Sequence, residues 1–240
     1  MTAMAASGLR SRIESLDLLA NNMANASTGG YKADREFYSL YTAPEAQDAD
    51  SSTTMPVIQQ PWIDLSQGPI TNTGNSLDLA LSGQGFFSVS GPSGKLYTRN
   101  GGFHLAANGQ LVTADGYPVL AAGAPVTAQS TLPVEISRDG SVTQDGQPIG
   151  KLDIADFTGT AGVAKQGSNY FRAVDPAETP STAAGTSVEQ GKLETSNTGT
   201  AESAVRLVSI MRQFEMLQKA ILIGNDMSKQ AIEQVAKVGS

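Results

Sequence analysis

Each end of this 240-residue chain carries an apolar repeat at alternating spacings of four and three. Leu9, Ile13, Leu16, Ala20 and Met23 form one seam; Leu207, Ile210, Phe214, Leu217 and Ile221 form the other. That repeat places apolar side chains along one stripe of a helix, and the stripe is stable only when another helix covers it. Two stripes separated by nearly the whole chain predict terminal helices that pair with each other or with neighbouring subunits. Such a pattern suits assembly better than catalysis.

The first helix is expected from Thr2 to about Ala26, ended by the Ser, Thr and paired glycines of Asn25–Gly30. The second opens at Gly199 or Thr200, carries Glu202 in its first turn and runs to about Lys237. Its length is about 57 Å at 1.5 Å per residue. Glu202 with Arg206, Glu215 with Lys219 and Glu233 with Lys237 are spaced to pair along its exposed face. Gly224 and Ser228 permit either a bend or a close helix approach.

Between Trp62 and Tyr170 the period falls toward two, and turn dipeptides recur: Asn100-Gly101, Asn108-Gly109, Asp115-Gly116, Asp139-Gly140 and Asp145-Gly146. Dipeptides of this kind supply the positive φ angles of tight hairpins, which predicts many short antiparallel strands. Phe171–Ser187, rich in Pro, Thr, Ala and Gly, reads as a loose return path, and Pro44–Thr54, polar and acidic, as an extended loop. The expected fold class is α+β: N- and C-terminal helices paired as a coiled coil, flanking a central antiparallel all-β domain. Its parts are residues 1–61, 62–187 and 188–240.

Composition narrows the function. The chain has 23 acidic and 16 basic residues, a net charge of -7, and no block of Lys and Arg to follow a phosphate backbone, so nucleic acid is not an expected partner. Cysteine is absent, which removes disulfides, thiolate metal sites and cysteine nucleophiles. The longest apolar run, Ala220–Ile223, is far below the roughly 20 residues of a membrane-spanning helix, so no membrane insertion is expected. Arg10, Arg12, Glu14 and Asp17 interrupt what would be the apolar region of a cleaved signal peptide.

Sites of chemistry are not expected either. Gly83-Gln84-Gly85 leads into Phe86-Phe87, a strand pattern, where a dinucleotide loop opens a helix. His104 is the single histidine, and Asp48 and Asp50 lack the glycine and distal Glu of a calcium loop, so neither metal nor cofactor is predicted. Asp64, Asp78, Glu135, Asp139, Asp145, Asp153 and Asp156 could converge in a fold, but most occupy turn or strand-edge contexts that already explain them.

The least generic stretch is Ala20-Asn21-Asn22-Met23-Ala24-Asn25-Ala26-Ser27-Thr28-Gly29-Gly30-Tyr31-Lys32. Asn21, Asn22 and Asn25 are poor choices inside a helix, because their amides compete for backbone groups. They are either an elaborate helix C-terminus or amides that bond across a helix pair or between subunits. The stretch resembles the N-terminal signature of the bacterial flagellar rod, hook and hook-associated family. Ile63-Asp64-Leu65-Ser66-Gln67-Gly68-Pro69, Asn75–Leu81 leading into Gly85-Phe86-Phe87, Tyr97-Thr98-Arg99-Asn100-Gly101, Asp115–Leu120 and Leu193-Glu194-Thr195-Ser196-Asn197 extend the resemblance over nearly the whole chain. Within the family it is most similar to proximal rod proteins, then to distal ones.

The resemblance implies a non-enzymatic subunit of the rod, the shaft that carries motor torque across the periplasm. It also implies partners: copies of itself, other proximal and distal rod subunits, and the flagellar type III export apparatus that delivers it without a cleaved signal peptide. The assembly interface then consists of the two seams with Asn21, Asn22 and Asn25. A secreted β-domain on a helical stalk and a carboxylate-dependent hydrolase are the alternatives from other classes.

Overall fold

A computed structural model describes residues 2–36, 38–42, 54–58, 61–129, 131–157, 159, 162–167, 169–175, 180–183 and 185–238. Phe37 and, apart from Thr54, the loop expected at Pro44–Thr54 lie outside the described residues. The chain forms two compact units: a helical unit of residues 1–23, 34–62 and 200–240, and a β unit of residues 24–33 and 63–199.

In the β unit, six strands order as Val163–Lys165, Tyr170–Ala173, Gly94–Thr98, Phe86–Gly91, Ile154–Asp156 and Ser181–Thr182, with every neighbouring pair antiparallel. Alternation along Phe86–Val89 and Leu96–Tyr97 sends side chains to both faces. On one face Leu79, Leu81, Phe87, Val89 and Val188 join the larger core, each 1% exposed or less. On the other, Phe86, Tyr97, Phe157 and Phe171 pack as rings, with Tyr97 and Phe157 edge to face at 4.8 Å and 85°. Aromatic contacts of this geometry add about 0.5–1.5 kcal/mol each beyond the area they bury.

The expected turns are present with one instructive exception. Asp145 and Gly146 both take positive φ, 52° and 72°, and close the hairpin of Ser141–Gln144 and Gln147–Lys151. Gly101 is glycine for another reason: a Cβ there would lie 1.7 Å from the Leu79 carbonyl oxygen, so the residue serves close approach of two backbones. The return path expected at Phe171–Ser187 is instead partly ordered strand, Tyr170–Ala173 and Ser181–Thr182. Beyond it, Ser187–Gln190 pairs with Leu79–Ser82, and Lys192–Glu194 with Ile70–Asn72. Polar composition disguised these strands because only Val188 of the first is buried to the core.

The helical unit holds α1 (Thr2–Ala24), α2 (Thr200–Val238) and an antiparallel pair, Tyr38–Thr42 with Thr54–Ile58. The class is α+β, yet the expected coiled coil of α1 with α2 is not formed, and the chain is mostly β. Two physical reasons account for the correction. The buried stripe of α1 is Ser11, Ser15, Leu19 and Asn22, not the apolar seam, and small polar residues supply no knobs for coiled-coil holes. In addition, α1 has 23 residues and α2 has 39, so a continuous seam would leave much of α2 without a counterpart.

Candidate assembly site

The signature at the end of α1 and the tail motif before α2 meet in the β unit around three buried charges. Lys32, on the extended stretch after the Gly29-Gly30 turn, donates from Nζ to Glu194 Oε1 at 2.6 Å and to the Ser66 carbonyl at 2.6 Å. Arg99, following Gly94–Thr98, donates from Nη1 to Glu194 Oε2 at 3.0 Å and from Nη2 to the Gly83 carbonyl at 2.6 Å. The Gly68 amide donates to Glu194 Oε1 as well, at 3.0 Å. All three side chains are at most 3% exposed. Burial pulls both the Lys32 ammonium and the Arg99 guanidinium below their usual ranges, and Glu194 opposes the shift in each.

Backbone and amide bonds lock the same place. Gly30 donates to the Glu194 carbonyl at 2.8 Å, and its φ of 66° with Arg99 backbone 2.3 Å from a notional Cβ admits no side chain. Asn197 accepts from the Ala33 amide at 2.7 Å and donates to the Asp64 carbonyl at 2.7 Å, while its own amide donates to the Tyr31 carbonyl. The stretch leaving α1 and the stretch entering α2 are therefore bonded side by side. Lys32, Arg99 and Glu194 were not singled out from the sequence, although each lies inside a quoted motif. Charges with nearby opposite charges in the sequence, as Lys32 has in Asp34 and Glu194 in Lys192, give no local sign of burial.

The residues expected at an interface divide by helix. On α1, Leu9 and Leu16 are half-buried, Ala20 and Asn21 are exposed, and Ile13 and Met23 are 48% and 41% exposed. Asn22 is buried within its own chain: its amide donates to the Asp34 carbonyl at 2.8 Å and accepts from the Asp34 amide at 2.9 Å. Asn25, half-buried, accepts from the Thr28 hydroxyl at 3.3 Å. On α2, Ile210 is buried and Leu207, Phe214, Leu217 and Ile221 are half-buried. Outside that stripe lies a second apolar set that sequence periodicity passed over, in which Val205, Val208, Met216, Leu222, Ile223 and Met227 are exposed. Arg206, spaced to meet Glu202, donates instead to Glu36 at 3.4 Å.

Four of the seven carboxylates that could have converged are committed to holding turns. Asp153 accepts from the Ala122 and Gly123 amides at 2.8 Å each, Asp78 from Asn75, and Asp64 from the Ser66 amide. Asp139 accepts from the Ser141 hydroxyl and amide, which hold its carboxyl below the ordinary range. The chemistry these groups perform is the shaping of loops.

Comparison with known proteins agrees with a structural reading. The pattern described as "Flagellar hook protein FlgE/F/G D1 domain" matches residues 80–144, and "Flagellar basal body rod FlgEFG protein C-terminal" matches residues 189–234. The flagellar basal-body rod protein FlgF of Caulobacter vibrioides is 34% identical over 93% of this chain and 92% of its own. The flagellar basal-body rod protein FlgG of Buchnera aphidicola from Schizaphis graminum is 33% identical over 92% and 94%. That of Bacillus subtilis is 30% identical over 94% and 95%.

Proposed function

The chain belongs to the flagellar basal-body rod family, and we propose that within it this protein is a structural, non-catalytic subunit of the rod, of the proximal FlgF type. One observation carries the reading: the second apolar set of α2, from Val205 to Met227, is left in water by a single chain. Exposed apolar surface of this extent marks a contact with another macromolecule. Helical faces of successive copies cover it, together with what the single chain leaves exposed of Leu9, Ile13, Leu16, Ala20 and Met23 of α1 and of Leu207, Phe214, Leu217 and Ile221 of α2, while Ile210 is already buried in its own chain. The contact is heterologous and does not close, so it extends into a shaft. Many such contacts act in parallel, and bending the shaft requires several to open at once.

Its partners are then copies of itself and other proximal and distal rod subunits, and its place is the basal body in the periplasm, reached through the flagellar export apparatus. Residues 1–23, 34–62 and 200–240, the helical unit, supply the contacts between copies. A second reading, a distal rod subunit of the FlgG type, draws on the 33% identity to FlgG over 92% of the chain. Deleting residues 200–240 tests the assembly role. The expected result is loss of incorporation into basal bodies and of motility, with the β unit still folded; normal swimming would overturn it. Complementation of strains lacking either FlgF or FlgG separates the two types.

A further inference from the structure

Residues 187–197 reach more of the β unit than any local element of similar length would. Ser187–Gln190 is the ladder partner of Leu79–Ser82 in a two-stranded sheet, and Leu79, Ala80 and Leu81 are wholly buried. Lys192–Glu194 is in the same way the partner of Ile70–Asn72. Val188 enters the larger core, and the Gln190 amide donates to the Ser76 and Val134 carbonyls while accepting from the Ile136 amide. Asn197 binds Ala33, Asp64 and Ser66. Glu194 is the carboxylate that meets both Lys32, 162 residues earlier, and Arg99, 95 residues earlier.

Without this segment the β unit would have to enclose two cations that lack the carboxylate bonded to both, with only Asp64 acting on Lys32 and Asp156 on Arg99, and a strand whose buried Leu79, Ala80 and Leu81 have no ladder partner. Desolvating an uncompensated charge is among the largest single penalties in folding, and the two cations also repel each other. The hairpin Phe86–Gly91 with Gly94–Thr98 is local, but Arg99 follows it directly and stacks over the Phe86 ring at 5.5 Å, so core closure and cation burial are one event. We infer that residues 187–197 are the closing element of the β unit and that the Lys32–Glu194–Arg99 clasp makes their docking a condition for burying the core. Residues 24–185 therefore stay short of native packing until the segment after them is present.

Pulse-labelled amide exchange during refolding of the full-length chain tests this. Amides of Phe86–Val89 and Leu96–Thr98, whose ladder lies wholly upstream of the segment, are expected to gain protection in the same kinetic phase as those of Ser187–Glu194. In the charge-free variant Lys32→Met/Arg99→Met/Glu194→Leu, the upstream amides are expected to become protected first, in a phase faster by about tenfold or more, since the penalty for early burial is gone. Lys32→Met alone, which leaves the neutral Arg99–Glu194 pair, is expected to separate the phases by a smaller factor and serves if the triple variant does not fold. Upstream protection preceding that of Ser187–Glu194 in the unaltered chain overturns the inference. Wild-type ordering in a charge-free variant that folds, or in Lys32→Met if it does not, overturns the part assigned to the clasp. Neither result bears on the assembly reading, whose test is incorporation.

Discussion

In the β unit Leu79, Leu81, Phe87 and Val188 are at most 1% exposed and three buried charges meet one another, whereas in the helical unit Val205, Met216, Leu222, Ile223 and Met227 each keep 60–73% of their surface in solvent. Buried side-chain atoms without a hydrogen-bond partner occur in both units, the oxygens of Ser11 and Gln213 in the helical one and Arg99 Nε in the β unit. Burial of apolar surface contributes about 25 cal/mol per Å², and a unit that leaves this much uncovered has stabilisation in reserve for association. One unit covers most of its large apolar side chains within a single copy; the other leaves many of its own exposed, and that is the surface the proposed assembly uses.

The severest way to break this contrast is to unbalance the clasp. Glu194→Ala leaves Lys32 and Arg99 buried without the carboxylate bonded to both, and is expected to lose about 3–5 kcal/mol in urea denaturation of the β unit. Lys32→Met, which keeps the Arg99–Glu194 pair, should lose far less; equal losses would show that Glu194 acts through packing. Next comes Val188→Ala, which removes two buried methyl groups from the closing strand, with an expected loss of about 2 kcal/mol by the same measurement. In the helical unit, Asn22→Ala strands the Asp34 amide and carbonyl, a loss of about 1–3 kcal/mol, visible as faster exchange of the Asp34 amide. If that amide is unaffected, Asn22 serves contacts outside its own chain instead.

A smaller effect tests the β unit through pH. The Tyr170 hydroxyl bonds Asp115 Oδ2 at 2.6 Å and Thr113 Oγ1 at 2.9 Å, and burial, then Asp115, raises its pKa above the ordinary tyrosine value. A raised folded-state pKa favours the neutral phenol, so this contribution is complete below about pH 10 and is lost as pH rises beyond it. Tyr170→Phe should flatten the alkaline fall in stability seen in thermal melts. The smallest expected change in stability is that of Met216→Ser on the exposed face of α2, within about 0.5 kcal/mol. Incorporation into the rod should nevertheless fall, which separates the role of that face from any role in the fold.

Much of the local structure is legible in the sequence. The two helices follow from periodicity, and α2 spans Thr200–Val238, close to the expected Thr200 to Lys237. The hairpins follow from dipeptides such as Asp145-Gly146, whose φ angles few other pairs adopt. The buried stripe of α1 was not legible, because Ser11 and Ser15 look like surface residues and only a close-packed neighbour makes them interior ones. Nor were the strands at Ser187–Gln190 and Lys192–Glu194, whose alternation is too short and too polar to register as a period.

Local rules, which act over a few residues, thus determined where this chain is helical, where it turns, and that its ends are apolar on one side. Which face of each helix is covered, and that Lys32, Arg99 and Glu194 share one buried place, was decided only in three dimensions. Contacts across 95 and 162 residues leave no trace in spacing, because desolvation and charge pairing depend on distance through space and not along the chain.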